Sequence, residues 1–354
     1  MKIVEIIPSL EKRAGAEVFV TNLSKELSKT NTVSIISLYD DIDKALYDSL
    51  QEKNIRVFKC GKRKGLDFRC SRHLRKLLNE ISPDIVHLHL NSILTYYFAT
   101  GIRKQRFKTF LTVHSLVKKD FKSIECFLMK RMTNNKSLTI VGISNLITED
   151  IKKEIPNALV KTVFNGTELF TETISILDNK PLSIVNIAAF REEKNQALLI
   201  KCFSLLQKDF RDLRLVFVGG GEKESECKSL VKKLKLNNIV FNGIQNDVLP
   251  FLIESSVFCL SSIYEGNPIS IIEAMSVGLP IVAPRVGGIP DVVENGVNGL
   301  LFTVNDEKEL VKSLKTILSN TEIRLQMKKN NIDKSKSFSI ESCAQQYEKI
   351  FNGD

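Results

Sequence analysis

Short apolar runs alternate along this chain with stretches in which apolar residues recur every three or four positions, and the alternation continues from end to end. Strand-length runs interleaved with helical periodicity predict βαβ units and parallel sheets. In the first half, strands are predicted at Ile3–Ile7, Val33–Leu38, Ile85–Leu90, Phe110–His114 and Leu138–Ile143. A helix is predicted at Ala16–Lys29, where Ala16, Val20, Leu23 and Leu27 share one face. The pattern then restarts. Strands are predicted at Leu182–Ala189, Leu213–Val218, Ile239–Phe241, Val257–Leu260 and Pro280–Ala283, with helices at Gln196–Gln207, Lys223–Leu234 and from about Ser270 to Val277.

A chain of 354 residues exceeds the size at which one core stops growing, so two domains are expected. The boundaries predicted are a first domain at 1–165, a linker at 166–181 and a second domain at 182–338. The linker holds Gly166, several Thr and Ser, and Pro181 where the pattern resumes. The final helical segment, 339–354, is expected to pack back on the first domain. The opening run MKIVEIIPSL is too short to span a membrane and no small-residue cleavage site follows, so it reads as a buried strand. Seven cysteines without a C-x-x-C pair, an odd number, fit a reducing cytoplasm.

Charge adds a second asymmetry. The net +10 lies wholly in the first half: residues 1–180 carry 30 Lys+Arg against 20 Asp+Glu, whereas residues 181–354 carry 21 of each. Such a field attracts anionic partners. In the helix that begins near Arg69, the residues Cys70, Leu74, Leu77, Leu78 and Ile81 form an apolar stripe, with Arg69, Arg72 and Lys76 off it. Two readings are open: a helix lying on an anionic membrane surface, which would make the protein peripheral on the inner face of the cytoplasmic membrane, or a core-packed helix with a solvated basic face. No aromatic interleaving or binding motif accompanies the charge, so nucleic acid is not an expected partner.

The stretch with most chemistry is Glu265 to Met275, just after the apolar run Val257–Leu260. A Gly266-Asn267-Pro268 turn leading into a helix at Ile269 leaves backbone N–H groups free at the helix start, a good place for phosphate. Glu265 before the helix and Glu273 on its second turn are acceptor-only carboxylates able to hold sugar or ribose hydroxyls. The alternative is a surface loop residue and a solvated helix residue. Against it, Glu273 stands among Ile271, Ile272, Ala274 and Met275, a neighbourhood that would not normally face water.

This segment resembles the E-x7-E motif of the retaining glycosyltransferases of family 4, also called glycosyl transferases group 1, which have the GT-B fold. The likeness continues through Ser276–Ala283, Val286–Val293 and Gly296–Leu300. It implies an α/β architecture of two Rossmann-like, doubly wound domains facing across a cleft, the second holding the donor nucleotide and the first the acceptor. Position by position, Arg191 and Lys194 resemble the family's basic pair that holds the pyrophosphate, and cations there would offset charge on the leaving diphosphate. Gly219–Glu222, with Gly221, resembles a glycine turn near the nucleotide. Val240–Gly243, with Phe241 and Asn242, matches the place where backbone meets the base, or is an ordinary strand end. Ala14–Glu17 corresponds to a glycine loop that approaches the donor phosphate; its first glycine is replaced by Ala14 and its second is Gly15.

His114 stands where the family has a histidine that contacts the donor sugar, at the carboxyl end of a strand, and a neutral imidazole could donate to a sugar hydroxyl. A buried, satisfied histidine is the other reading. His87 and His89 share a strand face at a spacing that suits a metal, without a third ligand at diagnostic spacing. No Asp-x-Asp pair sits after a strand in a place that would recruit a divalent ion to the diphosphate, so the transfer is expected to need neither metal nor cofactor. The resemblance implies a UDP- or GDP-linked sugar donor, a saccharide or lipid-linked saccharide acceptor of envelope polysaccharide or glycolipid synthesis, and retention at the anomeric carbon. In a front-face route Glu265 orients the sugar and does not attack it. A nucleotide-sugar epimerase of the same fold and a non-catalytic partner subunit are the alternatives. The base, the sugar, the acceptor and the linkage are not legible.

Overall fold

A computed structural model describes residues 1–11, 15–101, 105–175 and 181–353. The chain divides into two compact units, one formed by Met1–Thr167 with Ile340–Asp354, the other by Glu168–Ser339. The division falls at the start of the segment read as a linker.

In the first unit the strands β1 (Lys2–Ile7), β2 (Thr32–Ser37), β3 (Arg56–Lys59), β4 (Ile85–His89), β5 (Lys108–Val113), β6 (Thr139–Gly142) and β7 (Leu159–Thr162) form one parallel sheet. Its order is β3-β2-β1-β4-β5-β6-β7. In the other unit β8 (Ser183–Ile187), β9 (Arg214–Val218), β10 (Ile239–Phe241), β11 (Val257–Cys259), β12 (Ile281–Pro284) and β13 (Gly299–Phe302) form a parallel sheet ordered β10-β9-β8-β11-β12-β13. Each sheet runs outward from its first strand and then resumes on that strand's other side. The reversals lie between β1 and β4 and between β8 and β11, and such switch points place ligands at the carboxyl ends of their strands. Helices cover both sheets, and each unit has its own apolar core.

The central strands β1, β4 and β5 are buried almost throughout, which is why they read as continuous apolar runs. The strands that the periodicity missed include β3 and β7 at the two edges. Arg-Val-Phe-Lys and Leu-Val-Lys-Thr are half-exposed there and too short and polar to stand out.

The helix Phe68–Ile81 starts at Asp67, whose carboxylate accepts from the N–H groups of Arg69 and Cys70, and stops at Ser82 in the left-handed conformation. Cys70, Leu74, Leu77 and Leu78 are buried in the core, with Arg69, Arg72 and Lys76 exposed. Of the two readings of this helix, the core-packed one describes its apolar stripe. Among the described residues no helix is long and apolar enough to cross a membrane. The helix Ile340–Asn352 belongs to the first unit, where Thr112 Oγ1 and the Tyr347 hydroxyl lie 2.8 Å apart and Lys108 Nζ donates to the Phe351 carbonyl at 3.0 Å. All seven cysteines are free.

Candidate active site

In the Glu168–Ser339 unit the switch point brings the loop after β8 beside the loop after β11. Arg191 and Lys194 lie in the first, where Glu192–Lys194 form a single 3-10 turn. Three hydrogen bonds tie the loops together. Ser261 Oγ donates to the carbonyls of Lys194 and Asn195, at 3.1 and 2.9 Å, and Ile263 N–H donates to the Glu193 carbonyl at 2.7 Å. With the main chains so fixed, Lys194 Nζ reaches both oxygens of Glu265 at 2.8 Å. Ser262 Oγ donates to Glu265 Oε1 at 2.6 Å. Glu265 is buried, so its charge is compensated by the ammonium and hydroxyl. An ammonium carries three protons, and this pairing leaves Lys194 one for another acceptor. Arg191 is exposed.

The main chain of Glu265 is held from a third direction by the turn after β12. Gly288 N–H donates to its carbonyl at 3.2 Å. Gly287 sits beneath at φ +59°, and a Cβ there would fall 1.6 Å from the same carbonyl oxygen. Only glycine allows this approach. Beyond Glu265 the chain turns through Gly266, Asn267 and Pro268, the latter two buried, into the helix Ile269–Ser276. Its first residue follows Pro268, and no side chain caps it among the described residues. Ile271 N–H is bonded to the Pro268 carbonyl at 3.1 Å, and the amides of Ile269 and Ser270 are left available to an anion. Glu273, one turn further on, is half-buried, and burial pushes its carboxyl up to about 7.

The glycine turn after β9 has a packing reason. Gly221, at φ +153°, lies against the Phe190 carbonyl, which a Cβ would approach to 2.4 Å. Phe190 N–H donates to the Gly220 carbonyl and Lys223 N–H to the Phe190 carbonyl, both at 3.0 Å. The turn thus grips the loop that carries Arg191 and Lys194. Phe241 ends the edge strand β10, two strands from β8, stacked on Phe217 at 5.2 Å with Lys228 over its ring. Asn242 follows it, its N–H bonded to the Phe217 carbonyl. The structure therefore brings Lys194, Glu265 and the Gly266–Ile269 turn together and puts Phe241 and Asn242 at a distance from them along the sheet edge.

Gly15 and His114 belong to the first unit. Gly15 opens the helix Gly15–Leu27; it is exposed, and a Cβ there would meet no atom of the described residues within 4 Å. Ala14 lies outside the described residues. His114 follows β5 and is half-buried, with Phe19 packed edge-on at 5.7 Å. Its Nε2 is 3.3 Å from His89 Nδ1, and His89 Nε2 is 2.7 Å from Glu5 Oε2. His87 Nδ1 lies 2.9 Å from the same oxygen and its Nε2 2.7 Å from Thr112 Oγ1.

Glu5 corrects the sequence reading of the histidine pair, because β1 supplies a third metal-ligand type of group in register with His87. The contacts themselves have hydrogen-bond lengths. Burial would raise the Glu5 carboxyl, but His87 and His89 outweigh it and hold it down at about 2. Burial beside His87 pushes His89 down to about 4, and burial puts His114 well below the usual imidazole range.

Ser261, Ser262, Gly287 and Glu5 were not singled out from sequence. The serines had a signal, two hydroxyls directly after an apolar strand at its carboxyl end. Glu5 had another, a lone charge within an apolar strand.

The chain's likeness to known proteins agrees with this geometry. Residues 171–334 match the family model of glycosyl transferases group 1, and residues 13–169 match that of glycosyltransferase family 4. An uncharacterized glycosyltransferase of Haemophilus influenzae is 34% identical over 55% of this chain, and the chain spans 55% of that relative's length. The N-acetyl-alpha-D-glucosaminyl L-malate synthase of Bacillus anthracis is 27% identical over 76% of this chain and 74% of its own. The crystal structure of Anabaena HepE in complex with UDP and glucose superposes over 100% of both chains with a TM-score of 0.83 at 19% identity, a likeness of fold. With both halves matched in order by these family models, the chain belongs to the family 4 glycosyltransferases, of the group 1 type and the GT-B fold.

Proposed function

We propose that the protein transfers a sugar from a nucleotide diphosphate to a saccharide hydroxyl with retention of configuration, in polysaccharide or glycolipid synthesis. The observation that carries this is the Lys194–Glu265 pair: two motifs far apart in sequence meet at 2.8 Å at a switch point, beside an uncapped helix start. In this reading the diphosphate lies at the Gly266–Ile269 turn, on the amides of the helix start, Arg191 and the spare Lys194 proton offset its charge, and Glu265 and Glu273 accept hydroxyls of the sugar and ribose. Gly221, Phe241 and Asn242 border the nucleotide, and the family resemblance assigns Gly15 and His114 to the donor as well. In this reading these cations and amides meet the leaving charge, and the transfer needs no metal. The UDP and glucose held by HepE support a UDP-linked donor, with GDP as the competing base.

The acceptor we propose is a saccharide, lipid-linked or otherwise anionic, engaged through the basic first unit. Beside the exposed basic face of Phe68–Ile81 stand exposed Leu66 and Phe68, the latter edge-on to Phe98 at 5.2 Å, a combination suited to an acidic membrane surface. Flotation with acidic vesicles at low salt tests this, and protein left at the bottom of the gradient removes the membrane from the proposal.

The test of the whole reading is calorimetric titration with UDP, GDP, ADP and their sugar conjugates without added metal, beside an Arg191→Ala/Lys194→Ala variant. Binding of one nucleotide that the variant loses is expected, followed by an NMR product assay showing the donor's anomeric configuration. Folded protein that binds none of them would remove the donor site.

A further inference from the structure

The histidine contacts of the first unit have a direction. Glu5 Oε2 meets His87 Nδ1 and His89 Nε2, and an ionised carboxylate is an acceptor only, so the proton of His89 resides on Nε2. A neutral His89 then has a lone pair on Nδ1, which faces His114 Nε2 at 3.3 Å. The proton in that contact must come from His114. The second ring nitrogen of His114, Nδ1, makes no hydrogen bond among the described residues.

We infer that Glu5 and His89 are positioning residues that hold His114 as its Nε2–H tautomer, so that His114 meets a substrate hydroxyl as a hydrogen-bond acceptor through Nδ1. This rests on the transferase reading, in which His114 serves the donor sugar, and reverses the direction expected there, in which the imidazole donates. The sugar hydroxyl must supply the proton, and a donor with fluorine in place of that hydroxyl would lose the contact. The other side of Glu5 does not alter this. His87 passes its own contact to Thr112 and Tyr347, whatever its charge. The low basicity of His89 and His114 is consistent with two neutral rings. Phe19 packs edge-on to both His89 and His114.

The experiment is long-range 1H–15N NMR of the full chain with 15N-labelled histidine, without ligand, at neutral pH and at about pH 5.5. For His114 we expect a pyridine-type Nδ1 and a pyrrole-type Nε2, unchanged between the two. His114 with its proton on Nδ1, or as a cation at neutral pH, overturns the inference. In His89→Phe the His114 signals should move toward a mixture of tautomers, and affinity for the nucleotide sugar should fall about tenfold with that for the bare nucleotide unchanged. Unmoved signals in a folded variant overturn it too. Thr112→Val, which takes the partner from His87 alone, should keep the wild-type pattern of His114, and this variant or the wild-type spectrum suffices if His89→Phe does not fold. The expected tautomer in a protein that binds no nucleotide sugar would sink the transferase reading and leave the direction of the contact standing.

Discussion

Glu273 is held by folding partly against its own charge. Its carboxyl stands at about 7 in the folded chain, above the ordinary glutamate value, so its contribution to stability is complete below about pH 4 and is lost as pH rises through 7. Glu273→Gln should therefore stabilise the protein at pH 8 by up to about 3 kcal/mol and change little at pH 4, measured by urea unfolding at both. The same variant should bind the nucleotide sugar about tenfold or more weakly, since it removes an anionic acceptor. Lys194 has the opposite character. Its removal leaves Glu265 buried without a cation, so Lys194→Ala should lose not only turnover but also about 2–4 kcal/mol of stability. Adding Glu265→Gln to it should restore most of the stability and none of the activity, and an active double variant would contradict the site. Glu273 was legible because it interrupts an apolar run, and Glu265 because of its place before the Gly266-Asn267-Pro268 turn at the E-x7-E spacing. Ser262, which donates to Glu265 Oε1, was not, because a serine's partner depends on where a distant loop returns.

Turns, more than strands, set the geometry of the candidate site. The Gly287 turn supports Glu265 from below, and Gly287→Ala would drive its Cβ into the Glu265 carbonyl. The loop must then shift by an ångström or more, and we expect turnover to fall at least a hundredfold, checked by steady-state kinetics. Nucleotide affinity should fall much less, because the helix Ile269–Ser276 keeps its own anchoring. The central strands and their carboxyl-end loops could be read from apolar runs followed by Gly, Ser and Glu. The edge strands β3 and β7 could not, since a strand exposed at an edge carries Lys and Arg like any surface segment. The contact between the loops after β8 and β11 was equally hidden. It depends on a sheet order in which strands adjacent in space are not adjacent in sequence.

For the molecule as a whole, the two-core division followed from length and from the restart of the pattern near residue 182. The final helix was expected to return to the first domain, and the structure places Ile340–Asn352 in that unit. Phe351 is buried there against Phe110 and His87. Phe351→Ala should cost about 3–5 kcal/mol. In a calorimetric scan it should lower the transition of the first unit and leave that of Glu168–Ser339 in place. The same arrangement has a consequence in time. As the ribosome makes this chain, the sheet of the first unit emerges early, with His87, Phe110 and Thr112 bare on the side that the last helix covers. At about 5–20 residues per second the covering helix follows on the order of ten to thirty seconds later. The half that is synthesised first is thus the last to be finished, and for that interval it depends on chaperones or on its own solubility, while the Glu168–Ser339 unit can close its core as soon as it appears.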